Sequence, residues 1–161
     1  MVRIHLPTAK YTLADITFSR QKNGLKSESG MLAQRVARFV FDYSANDSAG
    51  VANSAIGTHG TGVFLPIGAK VTRVWYQVKT GFTSAGSTAT LAFQANAAGD
   101  LLAAVAVSGN PGTPGVYAGI PDDTVTNIKT CTAERELSVA VAVQVLTAGR
   151  LIGFCEFVIG E

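Results

Sequence analysis

Histidine, cysteine and charge are all scarce in this sequence, and each shortage removes a class of function. The chain holds two histidines (His5 and His59), two cysteines (Cys131 and Cys155) and one tryptophan, Trp75, in 161 residues. Nucleophilic catalysis needs a nucleophile beside a base that a third group orients. His5 lies in a polar N-terminal stretch that positions it poorly. His59 has no Cys or Asp close to it in sequence, so it reads as a plain loop histidine and no catalytic residue is assigned. Metal binding has as little to draw on, because Asp122–Asp123 is the only acidic doublet and follows Pro121 as solvated turn residues do. The run G-T-H-G-T-G at 57–62 superficially resembles a phosphate-cradling loop. Such loops need a helix immediately after them and a lysine in place, whereas VFLPIGAKV is extended and broken by Pro66. It reads as a flexible strand connection, and no cofactor or metal is expected.

Charged residues make up 15% of the chain, against about 25% in an average soluble protein. A surface that sparse fits either a body partly covered by neighbours or a Gly/Ala/Thr-rich β protein with few charges. The bases form no run and no basic helix, so nucleic acid is not an expected partner. The longest apolar run, LLAAVAV at 101–107, is too short to cross a bilayer. No apolar signal segment follows Met1, so the expectation is a protein made in the cytosol with no membrane partner. Both cysteines fall in strand-like segments and read as buried free thiols rather than a disulfide.

What is present divides in two. Residues 1–36, MVRIHLPTAKYTLADITFSRQKNGLKSESGMLAQRV, are polar, basic and poorly patterned, and read as an extended N-terminal arm. Residues 37–161 run as short alternating segments between Gly/Ser/Asn/Pro turns, and read as one β domain. Through residue 38 there are seven bases (Arg3, Lys10, Arg20, Lys22, Lys26, Arg35, Arg38) and two acids (Asp15, Glu28), net +5; the remainder has six bases and nine acids, net −3. Opposite signs favour contact of the arm with other copies of the chain or with an acidic partner surface. An arm of this composition buries too little apolar surface to offset its chain entropy alone and is expected to order on contact.

The domain declares its class through its period. In ELSVAVAVQVL, Leu137, Val139, Val141, Val143 and Val145 fall on one face and Ser138, Ala140, Ala142 and Gln144 on the other, as a half-buried strand requires. STATLAFQANA opposes Ala89, Leu91, Phe93 and Ala95 to Thr88, Thr90, Gln94 and Asn96. VARFVFDY turns Phe39, Phe41 and Tyr43 inward. KVTRVWYQVKT turns Val74, Tyr76 and Val78 inward, which strands Trp75 on the outer face. LIGFCEFVIG is apolar on both faces apart from Glu156 and reads as a central strand. Turns are expected at SAGS (84–87), AAGD (97–100), GNPGTPG (109–115) and TAGR (147–150). Some eight short strands with no amphipathic helix of three turns give an all-β protein, a jelly-roll-like antiparallel β-sandwich preceded by an extended N-terminal arm. An outward tryptophan serves as a subunit-interface anchor, as a sugar-stacking platform, or merely sits under its own loop.

The segment GTHGTGVFLPIGAKVTRVWYQVKTGFTSAGSTATLAF, followed by LLAAVAVSG and closing with TAERELSVAVAVQVLTAGRLIGFCEFVIG, resembles a family of small tailed-bacteriophage virion proteins. They occur beside major capsid protein genes and are read as head decoration, or cement, proteins. The matching pattern is H-G-x-G-V-x-L-P-x-G-A, then V-x-T-x-F-T-S-A-G-S, then L-T-A-G-R-L-x-G-F. It spans residues 37–160 and leaves the arm without a counterpart. The resemblance implies a virion protein on the outer surface of the capsid, commonly a homotrimer, that bridges capsomers of the major capsid protein with an arm laid across the shell. On that implication Arg3, Lys10, Arg20, Lys22 and Lys26 seat the arm on an acidic capsid surface. Tyr11, Leu13, Ile16 and Phe18 give its apolar grip, and Trp75 makes a body–body or body–capsid contact. The alternatives are another phage component, such as a tail, neck or fibre protein, and a carbohydrate-binding sandwich for host attachment.

Overall fold

The structure, a computed structural model, describes residues 34–159. Nine strands follow one another: β1 (Arg35–Asp42), β2 (Gly57–Leu65), β3 (Ala69–Ser84), β4 (Thr90–Gln94), β5 (Leu102–Ala106), β6 (Gly115–Asp122), β7 (Lys129–Thr130), β8 (Arg135–Ala142) and β9 (Leu146–Ile159). One antiparallel sheet runs β1-β9-β3-β6, with the short β7 also on β3, and the other runs β2-β8-β4-β5. With β7 set aside, the chain crosses from one sheet to the other at nearly every connection, and the resulting order is that of a jelly roll. Arg35 and Val36, counted with the arm by sequence, are the first residues of β1.

The sandwich closes around one aromatic cluster. Phe39 on β1, Gly153 on β9 and Tyr76 on β3 lie in a single cross-strand row of the first sheet. Phe93 on β4 enters from the opposite sheet, edge-on to both rings, at 5.4 Å from Phe39 and 5.1 Å from Tyr76. A side chain at Gly153 would meet the Phe39 ring, so glycine keeps the space in which the rings interlock. Leu91, Val139, Val141 and Leu151, all buried, extend the core around them. Burial pushes the Tyr76 phenol up to about 12 and the Cys155 thiol likewise up to about 12. Both cysteines are free and buried.

Three details depart from the sequence reading. GTHGTG is no loop: it opens β2, paired to β8 from Gly57 to Gly60. TAGR lies inside β9, where a register irregularity opposite Gly81 and Phe82 absorbs what composition marked as a turn. The alternation of ELSVAVAVQVL is cut short, because β8 stops at Ala142 and leaves Val143 63% and Val145 52% exposed. The chain must reverse between Ala142 and Leu146, and Val143 takes φ 73° to do so. A β-branched residue there pays a left-handed penalty of about 1–2 kcal/mol. Val143→Gly is therefore expected to be neutral to stabilising by up to ~1 kcal/mol, with the gain trimmed by glycine's looser unfolded chain. A clear fall in the urea midpoint would contradict that φ.

Candidate functional site

The residues that point out of the β1-β9-β3-β6 sheet form a face with an apolar centre and charged groups among its rows. Register builds it in rows. Val40, Ile152, Gln77 and Val116 cross the sheet in one row, and Arg38, Phe154, Trp75 and Ala118 in the next. A third row carries Val36, Glu156, Arg73 and Asp122. Val36, Val40 and Val116 are exposed and Ile152, Phe154 and Trp75 half-buried. The outward side of β8 and β4 offers Glu136, Ser138, Ala140, Ala142, Thr90, Ala92 and Gln94, and its alanines, with Ala103 and Ala104 of β5, line a second cleft of about 300 Å³.

Trp75 is the fixed point of this face. Its indole stacks on Phe154 with centroids 3.9 Å apart and planes 13° from parallel. Its Nε1–H donates to Glu156 Oε1 at 3.1 Å, and the other oxygen of that carboxylate accepts from Gln34 Nε2 at 2.6 Å. The side chain is therefore held in one orientation without being covered. A cleft of about 380 Å³ opens beside it, between Arg73, Val116, Tyr117, Ala118 and Glu156. The outward placement of Trp75 agrees with its parity in sequence. Phe154 and Glu156 were not foreseen as its partners. They are some eighty residues away in the chain, and only the doubly apolar character of LIGFCEFVIG hinted that β9 had an outward side of consequence.

His59 is structural. It is 1% exposed, with Nδ1 3.2 Å from Asp47 Oδ2 and Nε2 2.9 Å from the Ala55 carbonyl oxygen. A carbonyl only accepts, which places a proton on Nε2. The β1–β2 loop is thereby tied to β2, and no ring nitrogen remains for a substrate. Asp47 is itself saturated: its other oxygen accepts from the Val51 and Ala49 amides at 2.8 and 2.9 Å. These bonds, that from Val51 first, hold its carboxyl below the ordinary 3.8. Asp42 is lowered chiefly by the Ser44 hydroxyl and Asp122 chiefly by the Asn127 amide. A depressed native pKa contributes stability that is present above the unfolded value and lost as pH falls through the native one. Thermal midpoints are thus expected to stay level from pH 7 to 5 and drop below about pH 4; a drop confined to pH 5–7 would contradict these assignments.

The proposed arm contacts, Arg3, Lys10, Tyr11, Leu13, Ile16, Phe18, Arg20, Lys22 and Lys26, lie outside the described residues. Asp122 closes β6 and Asp123 turns at φ 68°, both exposed, as the solvated-turn reading had it.

With this geometry in hand, likeness to solved structures locates the fold. A chain in the acid-stable capsid of Helicobacter pylori bacteriophage KHP30 superposes with a TM-score of 0.57 at 13% identity, over 81% of this chain and 91% of its own. A chain in the capsid of Ralstonia phage GP4 gives 0.58 at 18%, over 83% and 89%. One in the cyanophage Pam1 capsid asymmetric unit gives 0.58 at 19%, over 82% and 89%. The fold is thus an antiparallel β-sandwich of a kind that occurs in phage capsids, and it fills nearly the whole of each of those chains. No protein-family model and no curated protein matches the sequence.

Proposed function

We propose that this chain is a structural protein of a bacteriophage virion, and within that class a decoration, or cement, protein of the head. It binds the outer surface of the shell, contacts the major capsid protein and copies of itself as a homotrimer, and bridges neighbouring capsomers. It is synthesised in the host cytoplasm. The observation that carries this reading is a sandwich that keeps the Trp75–Phe154 stack on its outward side, in a fold that covers 81–83% of this chain and 89–91% of each of the capsid chains it resembles. A protein that stabilises a shell needs many modest contacts repeated at high copy number, and those multiply through multivalent attachment. The arm supplies the second contact, through Arg3, Lys10, Arg20, Lys22 and Lys26 on acidic groups and Tyr11, Leu13, Ile16 and Phe18 on apolar ones.

Deletion of residues 1–30 tests the division of labour. The truncated chain is expected to remain folded and oligomeric by circular dichroism and light scattering, and to stop co-sedimenting with heads made without this protein. Decoration undiminished by the deletion would mean that the body alone attaches. A carbohydrate-binding role draws support from the half-exposed Trp75 beside its cleft. It predicts saturable glycan binding that Trp75→Ala abolishes, and a blank glycan array removes it.

A further inference from the structure

One face of the Trp75 indole is left open, and a cleft stands against it. Trp75 has two cross-strand neighbours, Phe154 on β9 and Ala118 on β6. Phe154 covers one face of the indole at 3.9 Å, and Glu156 Oε1 takes the Nε1–H at the ring edge. Ala118 brings only a methyl group to the other side. There the cleft of about 380 Å³ lies between Trp75 and Val116, Tyr117 and Ala118 of β6, and Phe154 is no part of its wall. Arg73 and Glu156, cross-strand partners in the adjoining row, bound it at one end. Arg73 is loosely held, with its side chain 52% accessible and its Nε 3.8 Å from Asp123. The volume lies within the range of small-molecule sites, about 300–1,000 Å³.

We infer that this cleft binds one neutral pyranose ring, whose apolar face lies on the open face of Trp75 as a third layer on the Phe154–Trp75 stack. This rests on the carbohydrate-binding reading and deepens it by naming the surface that stacks, the polar partners and the charge class of the sugar. The lining selects among occupants. A hydroxyl group both donates and accepts, so a sugar answers Arg73, which only donates, and Glu156, which only accepts. The Glu156 carboxylate keeps lone pairs beyond its bonds from Trp75 and Gln34. An apolar or aromatic side chain of a partner protein would strip water from both charges and return no hydrogen bond. A cationic group would meet Arg73, and an anionic one would meet Glu156 and the electron-rich face of the indole. Trp75 is also half-buried and forms a wall of the cleft, whereas the aromatic anchor of a protein interface fills a pocket on its partner.

The test is calorimetric titration of the full-length protein with neutral hexose oligosaccharides and with their sialylated or uronic-acid counterparts. The wild type is expected to bind neutral sugars saturably and acidic ones more weakly. Ala118→Leu, at an exposed position, keeps Trp75 and fills the open side of its ring; it should weaken binding by about tenfold or more. Arg73→Ala, also exposed, should weaken it by roughly tenfold through the lost hydrogen bond to a charged group. Thr58→Leu, exposed on β2 in the other sheet, should bind as wild type, and circular dichroism should show all three variants folded. Neutral sugar bound equally well by Ala118→Leu sits elsewhere, which overturns the inference while the carbohydrate reading stands. Preference for the acidic sugars overturns it in the same way. No saturable binding of any sugar removes the carbohydrate reading itself. If in that case Ala118→Leu also stops sedimenting with heads made without this protein, the cleft takes a protein side chain.

Discussion

Phe93→Ala is expected to destabilise the domain by about 3–5 kcal/mol, the range for deleting a fully buried aromatic ring. Phe93 is 1% exposed and is the side chain of the second sheet that reaches both Phe39 and Tyr76 of the first. Removing it leaves a cavity over Gly153, which has no side chain to fill it. It also forfeits two edge-to-face contacts worth ~0.5–1.5 kcal/mol apiece beyond area burial. The rows on either side, built on strands in register, cannot collapse into that space without shifting β4 against β8. The urea midpoint measures the effect; a loss under about 1 kcal/mol would mean that the sheets are not held together at this point.

Gly149→Ala should cost about 2–4 kcal/mol by a different route. Gly149 has φ 130°, where side chains other than hydrogen are strained, and a methyl group there would run into the ring of buried Phe82. This is the place where β3 and β9 slip register, so the glycine lets the ladder continue past the irregularity. The two penalties separate in a double-mutant cycle. In a Phe82→Ala background the steric part should vanish and the cost of Gly149→Ala should shrink to the backbone part, about 1–2 kcal/mol. Strict additivity would show that the ring is not what Gly149 avoids.

The sequence showed most clearly those strands whose two faces differ. β1, β3 and β4 kept their predicted inward residues because a period of two survives any choice of partner, and β9 lies between β1 and β3 as its doubly apolar pattern indicated. Where the reading failed, tertiary pairing overrode composition. GTHGTG has three glycines and two threonines, the makeup of a loop, yet β8 offers it a ladder and Asp47 and Ala55 offer His59 its partners. Asp47 is twelve residues away, across a reversing loop, so no local pattern announces it. TAGR looked like a turn for the reason that makes Gly149 indispensable, a backbone conformation other residues avoid. The valine alternation past Ala142 misled because periodicity carries no information on where a hairpin must close. For the site, parity alone put Trp75 on the outside. That it is braced by Phe154 and Glu156, on a face whose apolar centre sits among charges of both signs, depended on the order of strands in the sheet, which the sequence does not encode locally.

The proposed decoration role requires weak contacts repeated over a closed surface. The number of copies in each virion tests that most directly. Quantitative mass spectrometry of purified particles, with the coat protein as internal standard, should find this chain at a copy number of the same order as the coat protein, as a component spread over the whole head requires. About a dozen copies or fewer would place it in a ring, neck or fibre and contradict the decoration role.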